Sequence, residues 1–274
     1  MKVRELVRQL ELLAPLNLAE SWDNVGLLIE PANEPAIKRV LTTIDLTEPV
    51  LEEAIKKQCK FILSYHPPIF TSFKRLLQTN AKDRIVMKCI ANDISVYSPH
   101  TCWDSIDNGV NDWIASCFDC SSKVPITPNP SLENAGMGRI ITLSTPLSLD
   151  KICDILRDHL GVKHLRLGHA DQNCWTRRHI STNQPYDIIR TIGICAGSGG
   201  SLLKGVDTDL YITGEMSHHE VLAVVAEGRS VLLSEHTHTE RGFLASVVKL
   251  LHCQVEGGVE FIVSETDRNP IETI

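Results

Sequence analysis

No apolar run in this 274-residue chain approaches the ~20 residues needed to span a bilayer, so no membrane-crossing helix is expected. The opening residues Met1-Lys2-Val3-Arg4-Glu5-Leu6 do not read as a secretory signal, because Glu5 and Glu11 break any apolar stretch. A cytoplasmic location is the expectation, with the nucleus as a second one. A basic excess is also missing. The formal net charge is -7, which argues against a grip on nucleic acid by bulk electrostatics, and no direct nucleic-acid partner is expected. The nine cysteines lack the even count and regular spacing of a disulfide framework. Cys117-Phe118-Asp119-Cys120 is a lone CxxC with no second CxxC or closely spaced histidine pair to complete a zinc finger, so reduced thiols are expected. There is no internal repeat of fixed period and no low-complexity tract.

What is present is ordinary for a globular chain, with 43% hydrophobic and 22% charged residues and enough length for one large or two modest domains. Val3, Leu6, Val7, Leu10 and Leu13 recur at helical spacing, predicting an amphipathic helix over 2–14 that stops before Pro15. Short β-rich runs then alternate with helical patterns. Strands are predicted at 40–44, 61–64, 94–97, 139–143, 191–195, 209–213, 231–234 and 259–263. Helices are predicted at 48–57, 81–92, from Asn108-Gly109 through Ile114, and at 148–160, 219–227 and 239–251. This alternation predicts an α/β fold with parallel sheet segments. The Ser-, Pro- and Asn-rich stretch 121–137 reads as a linker, dividing an N-terminal lobe (1–120) from a C-terminal lobe (138–274). The polar stretch 168–186 reads as a loop or mobile hairpin.

The chemistry is concentrated where strands end. His66, His100, Glu215 and His236 each follow a predicted buried strand by one to three residues, and open α/β sheets bind ligands at the carboxyl ends of strands. Two of these histidines have an acid four residues on: His100 with Asp104, and His236 with Glu240. Two imidazole–carboxylate pairs plus His66 are enough donors for two adjacent divalent ions in a cleft at the strand ends. The bland readings are loop hydrogen bonding for each histidine, helix capping for Asp104, and a favourable first-turn charge for Glu240. His218 and His219 are adjacent, so at most one faces any such site. Ala196-Gly197-Ser198-Gly199-Gly200 after a strand is either a phosphate cradle or a tight turn demanded by close packing.

Taken together, Trp22-Asp23-Asn24-Val25-Gly26-Leu27, His66-Pro67, His100-Thr101 with Asp104, Thr213-Gly214-Glu215 with His219, and His236 with Thr239-Glu240-Arg241-Gly242 resemble the Nif-three-like family. Bacterial members of that family are labelled GTP cyclohydrolase 1 type 2 homologues. The resemblance spans nearly the whole chain in order. It implies two α/β lobes, a dinuclear metal site between them and a ring-shaped hexamer. It also implies metal ligands His66, Asp104, His236 and Glu240, with His100 close by. Tyr65 departs from the bacterial pattern, which has two consecutive histidines before the proline. A protonated phenol is a poor ligand, and compensation of the second metal position by His238 or His100 is the expectation to test. Two functions follow. One is a hydrolase-like enzyme using one or two Zn, Fe, Mn, Co or Ni ions, with Glu215 as proton carrier, on a nucleotide or related small molecule. The other is a non-catalytic scaffold for transcriptional co-regulator proteins.

Overall fold

The computed structural model describes residues 1–170 and 187–272. The chain forms two compact units, Met1–Trp103 together with Leu244–Ile274, and Asp104–Phe243.

The first unit opens with α1 (Val3–Leu13), which buries Val3, Leu6, Val7 and Leu10, the i, i+3, i+4, i+7 stripe of the sequence. Then come β1 (Gly26–Ile29), β2 (Arg39–Thr43), α2 (Glu48–Lys56), β3 (Phe61–Ser64), α3 (Ala81–Ala91) and β4 (Ser95–Ser98). β3 and β4 are buried along their whole length, which is why they read as continuous apolar or small runs and not as alternating ones. Leu41, Ile62 and Val96 from the sheet pack with Val50, Leu51, Ile85, Val86 and Cys89 from the two helices.

The chain enters the second unit within α4 (Thr101–Ser105). There follow α5 (Val110–Ala115), β5 (Cys120–Val124), β6 (Thr127–Pro128), β7 (Gly136–Met137), β8 (Arg139–Ser148), α6 (Leu149–Leu160) and β9 (Arg166–Gly168). After them come β10 (Ile188–Ser198), α7 (Gly200–Leu203), β11 (Leu210–Glu215), α8 (His218–Ala226), β12 (Ser230–Leu233) and α9 (His238–Arg241). The main sheet runs β5-β8-β10-β11-β12-β9, with β10, β11 and β12 mutually parallel and the outer pairings antiparallel. Cys195, Tyr211, Val231 and Leu233 pack with Leu203 and Val224 in its core.

α10 (Phe243–Gln254) returns the chain to the first unit, where β13 (Glu260–Val263) lies parallel to β2. The first sheet is therefore β1-β4-β3-β2-β13, parallel except for the β1/β4 pair. The lobe boundaries read from composition are displaced by these pairings. Within 121–137, β5 pairs with β8 and β6 with β7, so this stretch is part of the second unit and not a tether. Its Ser, Pro and Asn content suits an exposed edge strand, where unpaired groups face water. Residues 244–274 belong to the first unit because β13 takes its hydrogen-bond partners from β2. Of the expected loop 168–186, Gly168 closes β9, and 171–186 lie outside the described residues. Among the described residues no helix is long and apolar enough to cross a membrane.

Candidate metal centre

In the second unit three parallel strands deliver their carboxyl ends to one edge: β10 into Ser198, β11 into Glu215, and β12 into Ser234 and Glu235. The chain leaves β12 through Glu235 with φ +71, a left-handed conformation costing a non-glycine residue ~1–3 kcal/mol, and Arg166 holds its carboxylate at 3.1 Å. His236 follows. Its Nδ1 lies 2.9 Å from Glu215 Oε1 and its Nε2 lies 3.3 Å from Glu240 Oε1. Glu240, in the first turn of α9, is 2% exposed. With Nδ1–H donating to Glu215, Nε2 turns its lone pair toward a second carboxylate. Either a proton or a shared cation reconciles those two donors, and a neutral nitrogen beside an anionic oxygen suits a divalent ion.

Gly197 makes room for this pair. Its φ is +63, and a Cβ there would sit 2.9 Å from Glu240 Oε1 and 3.0 Å from His236 Nε2. The Gly197 N–H donates to Thr239 Oγ1 (2.8 Å), whose hydroxyl donates to His236 O (2.6 Å). Thr213 Oγ1 donates to Gly197 O at 3.1 Å. Between the two readings of the glycine stretch, packing is the one the geometry supports. A Cβ on Gly199 would meet Thr213 Oγ1 at 2.5 Å, and one on Gly200 would meet the Glu220 carboxylate at 2.3 Å. An acid at the mouth of a four-residue helix is the wrong charge to greet a phosphate.

Asp104 lies in the same unit, half-buried in α4. Asn111, 1% exposed, clasps this turn to the end of β10: its Nδ2 donates to Asp104 O (3.0 Å) and its Oδ1 accepts from Ala196 N (2.8 Å). The adjacent Cys195 thiol is pushed well above the usual range by burial first, and then by the Asp104 and Glu240 carboxylates. His238 donates from Nδ1 to Ser234 O at 2.6 Å. His218 and His219 are both exposed at the start of α8, stacked edge-on at 5.4 Å, behind a Ser217/Glu220 capping box.

In the first unit His66 and His100 are prepared in the same manner. His66 follows β3, and its Nδ1 lies 2.9 Å from Asp45 Oδ1, just beyond β2. His100 follows β4 at φ +29, with Nδ1 2.7 Å from Asp23 Oδ1. The Asp23 side chain is fully buried. Burial alone would raise its carboxyl, but hydrogen bonds from His100 and Thr101 hold it below the usual carboxylate range. The two imidazoles are edge-on to each other, ring centroids 5.4 Å apart. Tyr65, 1% exposed, packs edge-on against both at 5.2 and 5.7 Å.

Each of the three histidines thus has an acid on Nδ1: Asp45, Asp23 or Glu215. Sequence reasoning gave no role to Asp45 or Asp23. Asp23 stands in the Trp22–Leu27 motif without a feature that marks it as a histidine partner. Asp45 carries only the weak signal of being an acid just after a strand.

Residues 1–270 match the Duf34/NIF3 (NGG1p interacting factor 3) family. The chain is 43% identical over 276 residues to NIF3-like protein 1 of Drosophila melanogaster, covering 100% of this chain and 89% of the fly protein. It is 37% identical over 287 residues to NGG1-interacting factor 3 of Saccharomyces cerevisiae, covering 97% and 95%. Its fold matches a Bacillus cereus protein related to NIF3 with a TM-score of 0.84 at 20% identity, over 100% and 99% of the two chains. A match across nearly all of the chain, with relatives well above 30% identity, bears out the resemblance read from its motifs: the chain belongs to the Duf34/NIF3 family.

Proposed function

We propose that this protein binds divalent metal through His66, His100, Asp104, His236 and Glu240, and acts as a metal-dependent, hydrolase-like enzyme on a nucleotide or related small molecule. The observation that carries this reading is the His236 ring: one nitrogen is engaged by Glu215 while the other faces Glu240 Oε1 at 3.3 Å across the space Gly197 leaves open. Asp45 and Asp23 support it by fixing His66 and His100 through Nδ1, the outer-shell arrangement that orients imidazole ligands. Imidazole and carboxylate donors without thiolate suit Zn, Fe, Mn, Co or Ni. One or two such ions, when bound, supply Lewis acidity and lower the pKa of bound water from ~15.7 toward ~7. Glu215 is the proton carrier in this scheme. Its side chain is 46% exposed, so it can exchange with solvent, and its hydrogen bond to His236 ties it to the centre. Buried Tyr65 keeps its phenol out of the ligand set, and His238 or His100 completes the second position. Assembly into a ring-shaped hexamer and a cytoplasmic or nuclear location complete the proposal.

A second reading is favoured by the family description and by the name of the yeast relative, NGG1-interacting factor 3. In that reading the protein is a scaffold for a co-regulator, and the metal is structural. Elemental analysis and a screen of nucleotides and phosphoesters with Mn, Zn or Fe separate the two. We expect one to two ions per chain, and metal-dependent turnover lost in Asp104→Ala and Glu240→Ala. No turnover, together with a lower Tm in both variants, replaces the enzyme with the scaffold. A stoichiometry near one, unchanged in His238→Ala, rejects compensation by His238.

A further inference from the structure

Trp22 lies in the turn before β1 with 58% of its surface exposed. Its ring centroid is 6.1 Å from that of Phe70, itself 45% exposed, and 6.1 Å from that of His100. His100 is in turn 5.4 Å from His66, so four rings stand in one row that runs from solvent to the imidazoles. Polar bonds hold the backbone segments that carry the two exposed rings. Asn24 Nδ2 donates to Ile69 O (2.6 Å), tying the Trp22 turn to the segment bearing Phe70. Asn24 N donates to Asp23 Oδ1 (2.7 Å), and Asp23 also receives Thr101 Oγ1 (2.5 Å). An indole is a large apolar group, and nothing in this turn tucks it under the surface. It is kept in water beside a pair of oriented imidazoles. An aromatic side chain on a held turn has only two rotatable bonds, so it loses little freedom when a planar ligand stacks on it.

We propose that Trp22, flanked by Phe70 tilted 55° to it, is a stacking platform that receives the base of a nucleotide beside His66 and His100. A ring is favoured over a protein partner by size. Two aromatic side chains offer at most ~250 Å² each. A stable protein interface buries ~800 Å² per partner. The inference rests on the proposed function only for what lies next to the platform. The stacking itself needs no metal, so its test can fail or succeed independently of turnover.

Calorimetric titration of the full chain, both chelator-treated and metal-loaded, tests it with adenosine 5′-monophosphate and guanosine 5′-monophosphate as probes and ribose 5-phosphate as the ringless control. The expected result is binding of at least one nucleotide, with ribose 5-phosphate weaker by tenfold or more. Trp22→Ala should weaken the nucleotide by tenfold or more, and Trp22→Phe should retain most of the affinity, with metal content equal in all three proteins. Failure of both nucleotides to bind, equal affinity for ribose 5-phosphate, or undiminished binding by Trp22→Ala overturns the platform. A change in sedimentation of Trp22→Ala with nucleotide affinity intact overturns it in favour of contact between copies of the chain.

Discussion

His236 shows how few atoms shape the candidate site. Its two nitrogens face two different carboxylates, and a missing side chain at Gly197 leaves the room between strands for that arrangement. Gly197→Ala is therefore expected to act twice. It strains a backbone at φ +63, for ~1–2 kcal/mol, and it drives a methyl against the proposed donor atoms at 2.9–3.0 Å. Gly205 is the natural control, with φ +77 and nothing within 4 Å of a Cβ. Both alanine variants should lower the unfolding midpoint, but metal content measured by elemental analysis should fall only in Gly197→Ala. Equal metal content in the two would separate Gly197 from the centre. The candidate residues His66, His100, Glu215 and His236 can be singled out from the chain because strand ends are marked locally by the change from apolar to polar residues, and Asp104 and Glu240 because each is four residues from one of those histidines. Asp45 and Asp23 could not, because what makes them matter is a hydrogen bond across 21 and 77 residues respectively.

At the level of elements, α5 presents two consecutive buried polar residues with different duties. Asn111 joins the Asp104 turn to the end of β10, while Asp112 holds Arg139 at the start of β8. Arg139 is 1% exposed and bidentate to Asp112 at 2.7–2.8 Å, and it also donates to the carbonyls of Ile106, Gly136 and Gly138. Lys123 on β5 reaches the same carboxylate at 2.7 Å. The α5–β8–β5 junction is thus organised around one carboxylate. Burial would raise the Asp112 carboxyl, but Arg139 and then Lys123 hold it below the usual range. Asp112→Ala leaves a buried guanidinium without its anion and is expected to cost ~3–5 kcal/mol, read as a reduced urea midpoint. A loss below about 1 kcal/mol would mean that the carbonyls alone satisfy Arg139. The sequence pattern placed a helix here correctly. It could not place β5, whose Ser-rich composition looks like a tether until β8 supplies its hydrogen bonds.

For the whole molecule, the decisive fact is that the first unit is assembled from both ends of the chain. β13 pairs with β2, and the residues after it are fastened by Glu53 of α2. The Glu53 carboxylate accepts from the backbone of Glu265 and Thr266, from the hydroxyls of Ser264 and Thr266, and from Lys57. Burial would raise its pKa, but these bonds outweigh burial and lower it from 4.5 to about 2. A depressed carboxyl contributes stability above its unfolded pKa and loses it as pH falls through the folded value. Stability contributed by Glu53 should therefore be full above about pH 4.5 and decline toward pH 2. Thermal unfolding of wild type and Glu53→Gln from pH 7 to pH 2.5 checks this, because the gap between them should narrow on acidification. A constant gap would show that the charge on Glu53 is not what fastens the C-terminal segment.

Local pattern alone was enough for the buried strands and the amphipathic helices, for the histidines that follow strands, and for the family, because each is encoded in residues close together or in short ordered motifs. Tertiary structure decided which strands pair, and therefore where each unit begins and ends, because backbone hydrogen bonding between distant segments leaves no trace in periodicity. It also decided which acid steadies which imidazole, since that depends on how strands are laid side by side and not on their spacing along the chain.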